Sequence, residues 1–355
     1  MRKSITGISN AKMQDLNHVK QIERTFTIYS TFDGFQYYKD KLLLQERRIY
    51  EDLKTGILSF SEKIDISPCE KKVEIEKIYR YVMLDTPMIF HVDKCNVFMD
   101  GKKISVRPKY KMSSSIYKDI KDECISTINK IKNLVEKENE WGILFGIHTY
   151  LIDTVLYHEG GGEHDITGPF LKNLGVCDGI AKAVKSICDY VGFPCVVIEG
   201  EAQRADGKIG RHAWNAIKID GKWNYYDFTF DITLNQNNPC KSIKCVDYFG
   251  LDYRRMSNDH FSWSTKLDTN NQHADYFAKF KLVIACQGEL ENMVFRGMEK
   301  GNSDFTFRIS EHWREFAIGD SLEKIINIAM KKYNQSYRYT YVFNEKQRTG
   351  YVHIT

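Results

Sequence analysis

Between residues 212 and 228 the chain reads HAWNAIKIDGKWNYYDF. Two runs rich in aromatic and β-branched residues flank Asp220-Gly221, a dipeptide that closes two-residue hairpins because both positions tolerate positive φ. Such a turn leaves no freedom of register. Ile219 must face Lys222, and counting back along both strands makes Trp214 face Asp227. His212 lies two residues from Trp214, on the same face and diagonal to Asp227. Diagonal neighbours stand about 7–8 Å apart, within reach of an imidazole–carboxylate hydrogen bond.

Upstream, NLGVCDGIAKAVKSICDYVGFPC spans residues 173–195. The spacing of Ile180, Ala183, Val184, Ile187 and Val191 predicts an amphipathic helix opening at Cys177, with Asp178 at its positive end and Gly192 and Pro194 closing it. A thiol in the first turn of a helix faces amide N–H groups and the positive end of the macrodipole, which favour thiolate over thiol. The same amides can serve as oxyanion donors. Cys177, His212 and Asp227 therefore read together as nucleophile, base and orienting carboxylate. Singly, each has a plainer role: small buried hydrophobe, packed core histidine, turn or cap residue. Three independent geometric requirements met at once favour the chemical reading.

The rest of the chain divides around this block. Residues 1–35 are polar and aperiodic. Residues 36–139 read as a helical and hairpin region: Leu42, Leu43, Ile49, Tyr50 and Leu53 recur at helical spacing, a second helix precedes Pro87, an Asp100-Gly101 hairpin follows, and a long helix covers 113–137. A core helix at 141–157 opens the central unit, 140–263, and 158–169 is turn material. A strand CVVIEG follows the cysteine helix. The polar stretch 201–211, with Gly207 and Gly210, reads as a lid over the site or as an ordinary surface loop. A polar linker at 264–274 leads to a small α/β unit, 275–355, with strands at 279–285, 303–309, 337–343 and 349–354 and helices at 287–299 and 320–333.

Composition narrows the function classes. Lys plus Arg number 51 against 47 for Asp plus Glu, a net charge of +4, so no basic surface points to nucleic acid or to an anionic membrane. The most apolar run, 141–157, is shorter than a bilayer span and carries His148 and Asp153, so no membrane segment is expected. The N-terminus lacks a signal-peptide pattern, which suggests a cytoplasmic protein. Nine cysteines, an odd number without regular spacing, argue for reduced thiols rather than a disulfide framework. Cys240 and Cys245 lack the partners that would complete a zinc set, and no acidic loop suits calcium. No metal or cofactor is expected.

The runs GVCDGIAKAVKSICDYVGFPC and RHAWNAIKIDGKWNYYDFTFD resemble the core of the transglutaminase-like superfamily, closest to its bacterial transglutaminase-like domain proteins. The resemblance covers 140–263 well and 36–139 weakly. It implies an α+β fold, a papain-like core with a central helix packed on an antiparallel sheet. It also implies a Cys177–His212–Asp227 triad acting on a protein or peptide substrate through a Cys177 acyl-thioester. Phe230 stands where these sequences often carry tryptophan. Trp141 and Tyr157 are candidates for a side-chain oxyanion donor, His164 and Trp214 for lining the cleft, and Asp259 with His260 for a structural anchor. Resolution of the thioester by water, giving a peptidase or amidase, is favoured over transfer to an amine. A transglutaminase-type crosslinker and a non-catalytic peptide-binding module are the alternatives. The sequence specifies neither the natural substrate nor the oligomeric state.

Overall fold

The computed structural model describes residues 34–67, 74–100, 103–160, 163–263, 265–269, 272–313, 318–333 and 336–355. The N-terminal polar segment falls outside this range except for its last two residues, as do Cys69 and Gly101. The fold is α+β.

The N-terminal region holds α1 (Tyr37–Asp40), α2 (Leu44–Leu58), β1 (Ile64–Asp65), α3 (Ile75–Asp85), β2 (Val92–Asp100) and β3 (Lys103–Tyr110), the strands ordered β1-β3-β2. The apolar spacing from Leu42 onward predicts one helix, but the chain breaks between α1 and α2. Leu43 there is extended and exposed, and its amide donates to the Glu46 carboxylate at 2.8 Å, so it starts a new helix rather than filling a core position. Ile49, Tyr50, Leu53 and Ile57 of α2 close a core with Ile78 and Val82 of α3.

Next come α4 (Ser114–Val135), α5 (Glu140–Thr154), β4 (Leu156–Tyr157), a π-helical turn (Gly168–Lys172), β5 (Leu174–Gly175) and α6 (Cys177–Val191). Ser113 and Asn139 cap α4 and α5 by accepting from Ile116 and Gly142, as short polar residues at this position do. Helix α6 ends at Gly192 in the left-handed conformation, φ 85°.

Behind α6 stands an antiparallel five-stranded sheet, β6 (Cys195–Gln203), β7 (Ile209–Ile219), β8 (Lys222–Tyr226), β9 (Phe249–Leu251) and β10 (His260–Phe261), ordered β10-β6-β7-β8-β9. Asp220 and Gly221 both have positive φ, 49° and 76°, the signature of a type I′ turn. The ladder runs from Ile219↔Lys222 to Asn215↔Tyr226, the register that the two-residue turn dictates. Ile217 and Ile219 pack with Ile180, Val184 and Ile187 of α6. Trp214, Ala216 and Tyr225 join Tyr38, Leu84, Met256 and Trp263 in a second cluster, as strand alternation requires. Both faces of the sheet are thus covered. Helix α7 (Phe228–Asn237) follows β8 directly, and α8 (Tyr253–Met256) lies between β9 and β10.

The C-terminal unit contains α9 (Tyr276–Lys279), β11 (Val283–Ile284), α10 (Gln287–Glu299), β12 (Asp304–Ile309), α11 (Ile318–Tyr333), β13 (Tyr339–Asn344) and β14 (Thr349–Ile354), with strand order β11-β12-β14-β13. The strand expected over 279–285 shrinks to two residues because Asp275 caps α9 through the Ala278 amide. This unit is fastened to the central one by buried polar contacts. Arg308, paired with Asp275 inside the unit, donates to the Asp247 carbonyl at 3.3 Å, and the Tyr351 hydroxyl bonds both Asp247 and the Val246 amide across the boundary. Among the described residues, no helix is long and apolar enough to cross a membrane.

Candidate active site

The N-cap of α6 is Val176, whose side chain offers no capping acceptor, and Cys177 is the first helical residue. The amides of the first turn therefore receive no side-chain cap, the arrangement in which a helix start addresses an anion or a polarised carbonyl. Gly179 lets the chain segment before the π-helical turn lie against this end. A Cβ there would stand 2.3 Å from the Glu163 carbonyl oxygen and 2.9 Å from that of Asp165. Cys177 is partly exposed, whereas Cys124, Cys188, Cys195, Cys240 and Cys245 are buried; all eight described cysteines are free.

His212 enters from β7 and is buried. Its Nε2 meets Asp227 Oδ2 at 2.7 Å, and the ring is also in hydrogen-bonding contact with the Cys177 side chain. With Nε2 engaged by the carboxylate, Nδ1 is the nitrogen left to face the sulfur. Asp227 is the N-cap of α7, where its Oδ1 accepts from the Phe230 amide at 3.1 Å. One carboxylate thus caps a helix and holds an imidazole, and both tasks fix its rotamer. The Phe230 ring lies 4.7 Å from the His212 ring, covering it.

Burial alone would discharge His212, but the Asp227 carboxylate and the Cys177 sulfur outweigh it and raise its pKa to about 10. Burial likewise opposes ionisation of Asp227, yet His212 and His260 hold its carboxyl well below the usual carboxylate range. The pair stands as imidazolium and carboxylate at neutral pH.

The other expected site residues separate. Tyr157, on β4, is half-buried; burial, and then the Cys177 sulfur beside it, push its phenol up to about 12, so it remains an O–H donor. Trp141 is turned away: its indole N–H donates to the Ala274 carbonyl at 3.0 Å, inside the core that joins α5 to the C-terminal segment. Trp214 is fully buried and packs behind the histidines, 4.8 Å from the His260 ring, rather than lining a cleft. His164 is exposed, with Nδ1 4.0 Å from Asp178 in the first turn of α6. The stretch 201–211 is no free lid. Glu201, Ala202 and Gln203 pair with Arg211, Gly210 and Ile209, leaving only a short turn between β6 and β7.

His260, which with Asp259 is expected from the sequence to be a structural anchor, reaches Asp227 directly, Nε2 to Oδ2 at 3.0 Å. Only the Asp259-His260 dipeptide hints at this, since the contact depends on β10 closing the sheet edge beside β6. His212, Asp227 and His260 are the one His/Asp set among the described residues whose ligand atoms converge, all within 4.8 Å. The 2.7 Å separation is a hydrogen-bond length, whereas two ligands on a tetrahedral zinc shell of about 2.0 Å radius stand about 3.3 Å apart. The cluster is therefore built as a proton-sharing network and not as a metal site.

No protein-family model matches the chain. The chain is 28% identical over 94 residues, 24% of its length, to the kyphoscoliosis peptidase of Mus musculus, and this stretch spans only 14% of that protein. Among solved structures it is similar to a TGase (13% identity, 52% of this chain and 56% of that one, TM-score 0.30). It is also similar to a candidate cysteine protease from Cytophaga hutchinsonii (14%, 38% and 61%, TM-score 0.27). A candidate protease from Parabacteroides distasonis gives 14% identity over 37% of this chain and 35% of that one, TM-score 0.25. The chain resembles transglutaminase-like proteins.

Proposed function

We propose that this protein is a cysteine-dependent amide-bond enzyme acting on a protein or peptide substrate. The observation that carries the reading is the His212 imidazole, buried and charged between Asp227 and Cys177. The Cys177 sulfur attacks the carbonyl carbon, and the first-turn amides of α6 receive the developing oxyanion. His212 gives its proton to the leaving amine, which departs and leaves an acyl-thioester on Cys177. Water, deprotonated by the same nitrogen, then releases the acid and the thiolate. Asp227 keeps the ring oriented and the imidazolium stabilised throughout. Tyr157, whose hydroxyl donates to Glu159 at 3.3 Å in the resting site, would become a second donor to the oxyanion on turning from that carboxylate.

Hydrolysis is favoured over amine transfer because water is the acceptor present at highest concentration, and no feature of the site singles out an amine. The peptidase designation of the mouse relative supports the same side of the choice. The test is to incubate the protein with a casein digest, with and without dansylcadaverine, and read products by mass spectrometry. Free acids that depend on Cys177 establish hydrolysis, and dansyl incorporation reassigns the enzyme as an acyl transferase. Absence of both products, together with no acyl adduct on Cys177 from an activated ester, refutes the enzyme reading in favour of a peptide-binding module.

A further inference from the structure

Beyond Asp227 the hydrogen bonds continue away from the cleft and end in the C-terminal unit. His260 uses both ring nitrogens on carboxylates, Nε2 on Asp227 at 3.0 Å and Nδ1 on Asp259 Oδ1 at 2.7 Å. The second Asp259 oxygen accepts from the Tyr248 hydroxyl at 2.6 Å and from Gln347 Nε2 at 3.1 Å. Gln347 lies in the turn between β13 and β14 and is fully buried, as are Asp259 and His260. The turn is itself tied down. Asn344 donates to Asp247 at 2.8 Å and reaches the Tyr248 hydroxyl at 3.4 Å, its side-chain oxygen accepts from the Gln347 backbone N–H, and Asn258 donates to the Lys346 carbonyl at 3.0 Å. A surface hairpin of one unit has thus been pressed into the back of the other.

Buried side chains of this kind are costly unless each polar atom is matched. A histidine that donates from both nitrogens to two carboxylates must carry two N–H protons, and is therefore an imidazolium. Burial opposes that charge, but Asp227 and Asp259 overcome it and raise the His260 pKa. Without His260, Asp227 would keep the Phe230 amide on Oδ1 and only the His212 imidazole on Oδ2, so that nothing behind the carboxylate would oppose a shift of the pair about the α7 cap. Without the Tyr248 and Gln347 donors, Asp259 would face His260 as an under-solvated anion able to turn away.

We infer that Asp259, His260 and Gln347 are positioning residues, through which the β13–β14 turn of the C-terminal unit holds Asp227, and with it the His212 ring, in line with Cys177. The role rests on the reading of Cys177 and His212 as nucleophile and base. It gives the C-terminal unit a task in the active site although none of its described residues touches the thiol. No proton moves along the relay during the reaction; His260 keeps both of its protons, and its positive charge offsets that of the second carboxylate.

The groups facing His212 that can change charge are Cys177, Asp227 and, across 5.6 Å of ring separation, His260. Those facing His260 are Asp227, Asp259, Tyr248 and, across the same 5.6 Å, His212. The decisive measurement is the iodoacetamide alkylation rate of Cys177 in the full chain from pH 5 to 10, followed by peptide mapping. The variants compared with the wild type are Gln347→Met, His260→Gln and His212→Ala. Gln347→Met keeps the volume and removes the donor. It should slow alkylation about tenfold near neutral pH, as expected when most of one charge-assisted hydrogen bond is lost, and should shift the profile in the direction of His212→Ala. His260→Gln should do the same more strongly. A wild-type rate and profile in both folded variants overturns the inference.

If the wild type itself shows no dependence on His212, the nucleophile–base reading fails instead, which separates the two. A second measurement needs no variant: ¹⁵N-histidine NMR of the wild type at pH 8 should show His260 protonated on both ring nitrogens. A neutral tautomer there overturns the inference even if the variants do not fold.

Discussion

Replacing Asp227 by asparagine isolates the charge from the shape of this site. Asparagine is as good an N-cap as aspartate, so the bond to the Phe230 amide and the start of α7 survive. What disappears is the anion shared by two histidines. In the wild type, Asp227 and Cys177 raise the His212 pKa from 6.5 to about 10 despite burial. That displacement is worth a ceiling of about 5 kcal/mol at 1.36 kcal/mol per pH unit. Without the carboxylate, burial governs and the value falls to 6.5 or below, so at pH 7.5 no more than about one ring in ten is charged. Alkylation of Cys177 by iodoacetamide at that pH should drop by at least about tenfold, while the other cysteines label as before.

Stability follows with a definite sign. A raised histidine pKa contributes stability that is complete below pH 6.5 and lost as pH climbs through about 10. The depressed Asp227 contributes above about pH 3.8 and is lost in acid. The gap in urea unfolding free energy between wild type and Asp227→Asn should therefore be widest between about pH 4 and 6.5 and should close towards pH 10. An unchanged labelling rate at pH 7.5, with a stability gap that ignores pH, would refute the charge argument.

Two further outcomes are expected. Gly179→Ala should cost about 1–3 kcal/mol and slow Cys177 alkylation, because the added methyl meets backbone carbonyls that cannot step aside; urea melts and labelling of the same preparation check both effects. Arg308→Ala leaves Asp275 buried without its cation and removes a guanidinium lying 4.3 Å over the Phe277 ring. A loss of about 3–5 kcal/mol by chemical denaturation is the expected result of breaking such a pair.

The parts of the site that can be read from the sequence are those set by local rules. The I′ turn, the register it imposes and the helical stripe after Cys177 follow from residue type and period alone, and they place His212 beside Asp227. The unread parts depend on distant chain. His260 reaches Asp227 from 33 residues away and Gln347 reaches Asp259 from 88, and no periodicity encodes such meetings. Trp141 and Trp214 share the aromatic character of cleft residues, and only packing decides that one serves the α5 core and the other backs the sheet. Strand pairing likewise turned the polar stretch 201–211 into a hairpin, because Ala202 is buried against the sheet edge formed by β10.

The Asp220-Gly221 turn has a consequence for how this chain tolerates change. Exposed loop tips are ordinarily where insertions and deletions accumulate. Here the tip begins eight residues from His212, about 26 Å along an extended strand, and its length sets which residue of β7 stands over Asp227. A single inserted residue moves every side chain of one strand to the opposite face relative to its partner. This remote and solvent-facing corner works as a counting device for the site, so variation in its length should be as rare as variation in the site itself.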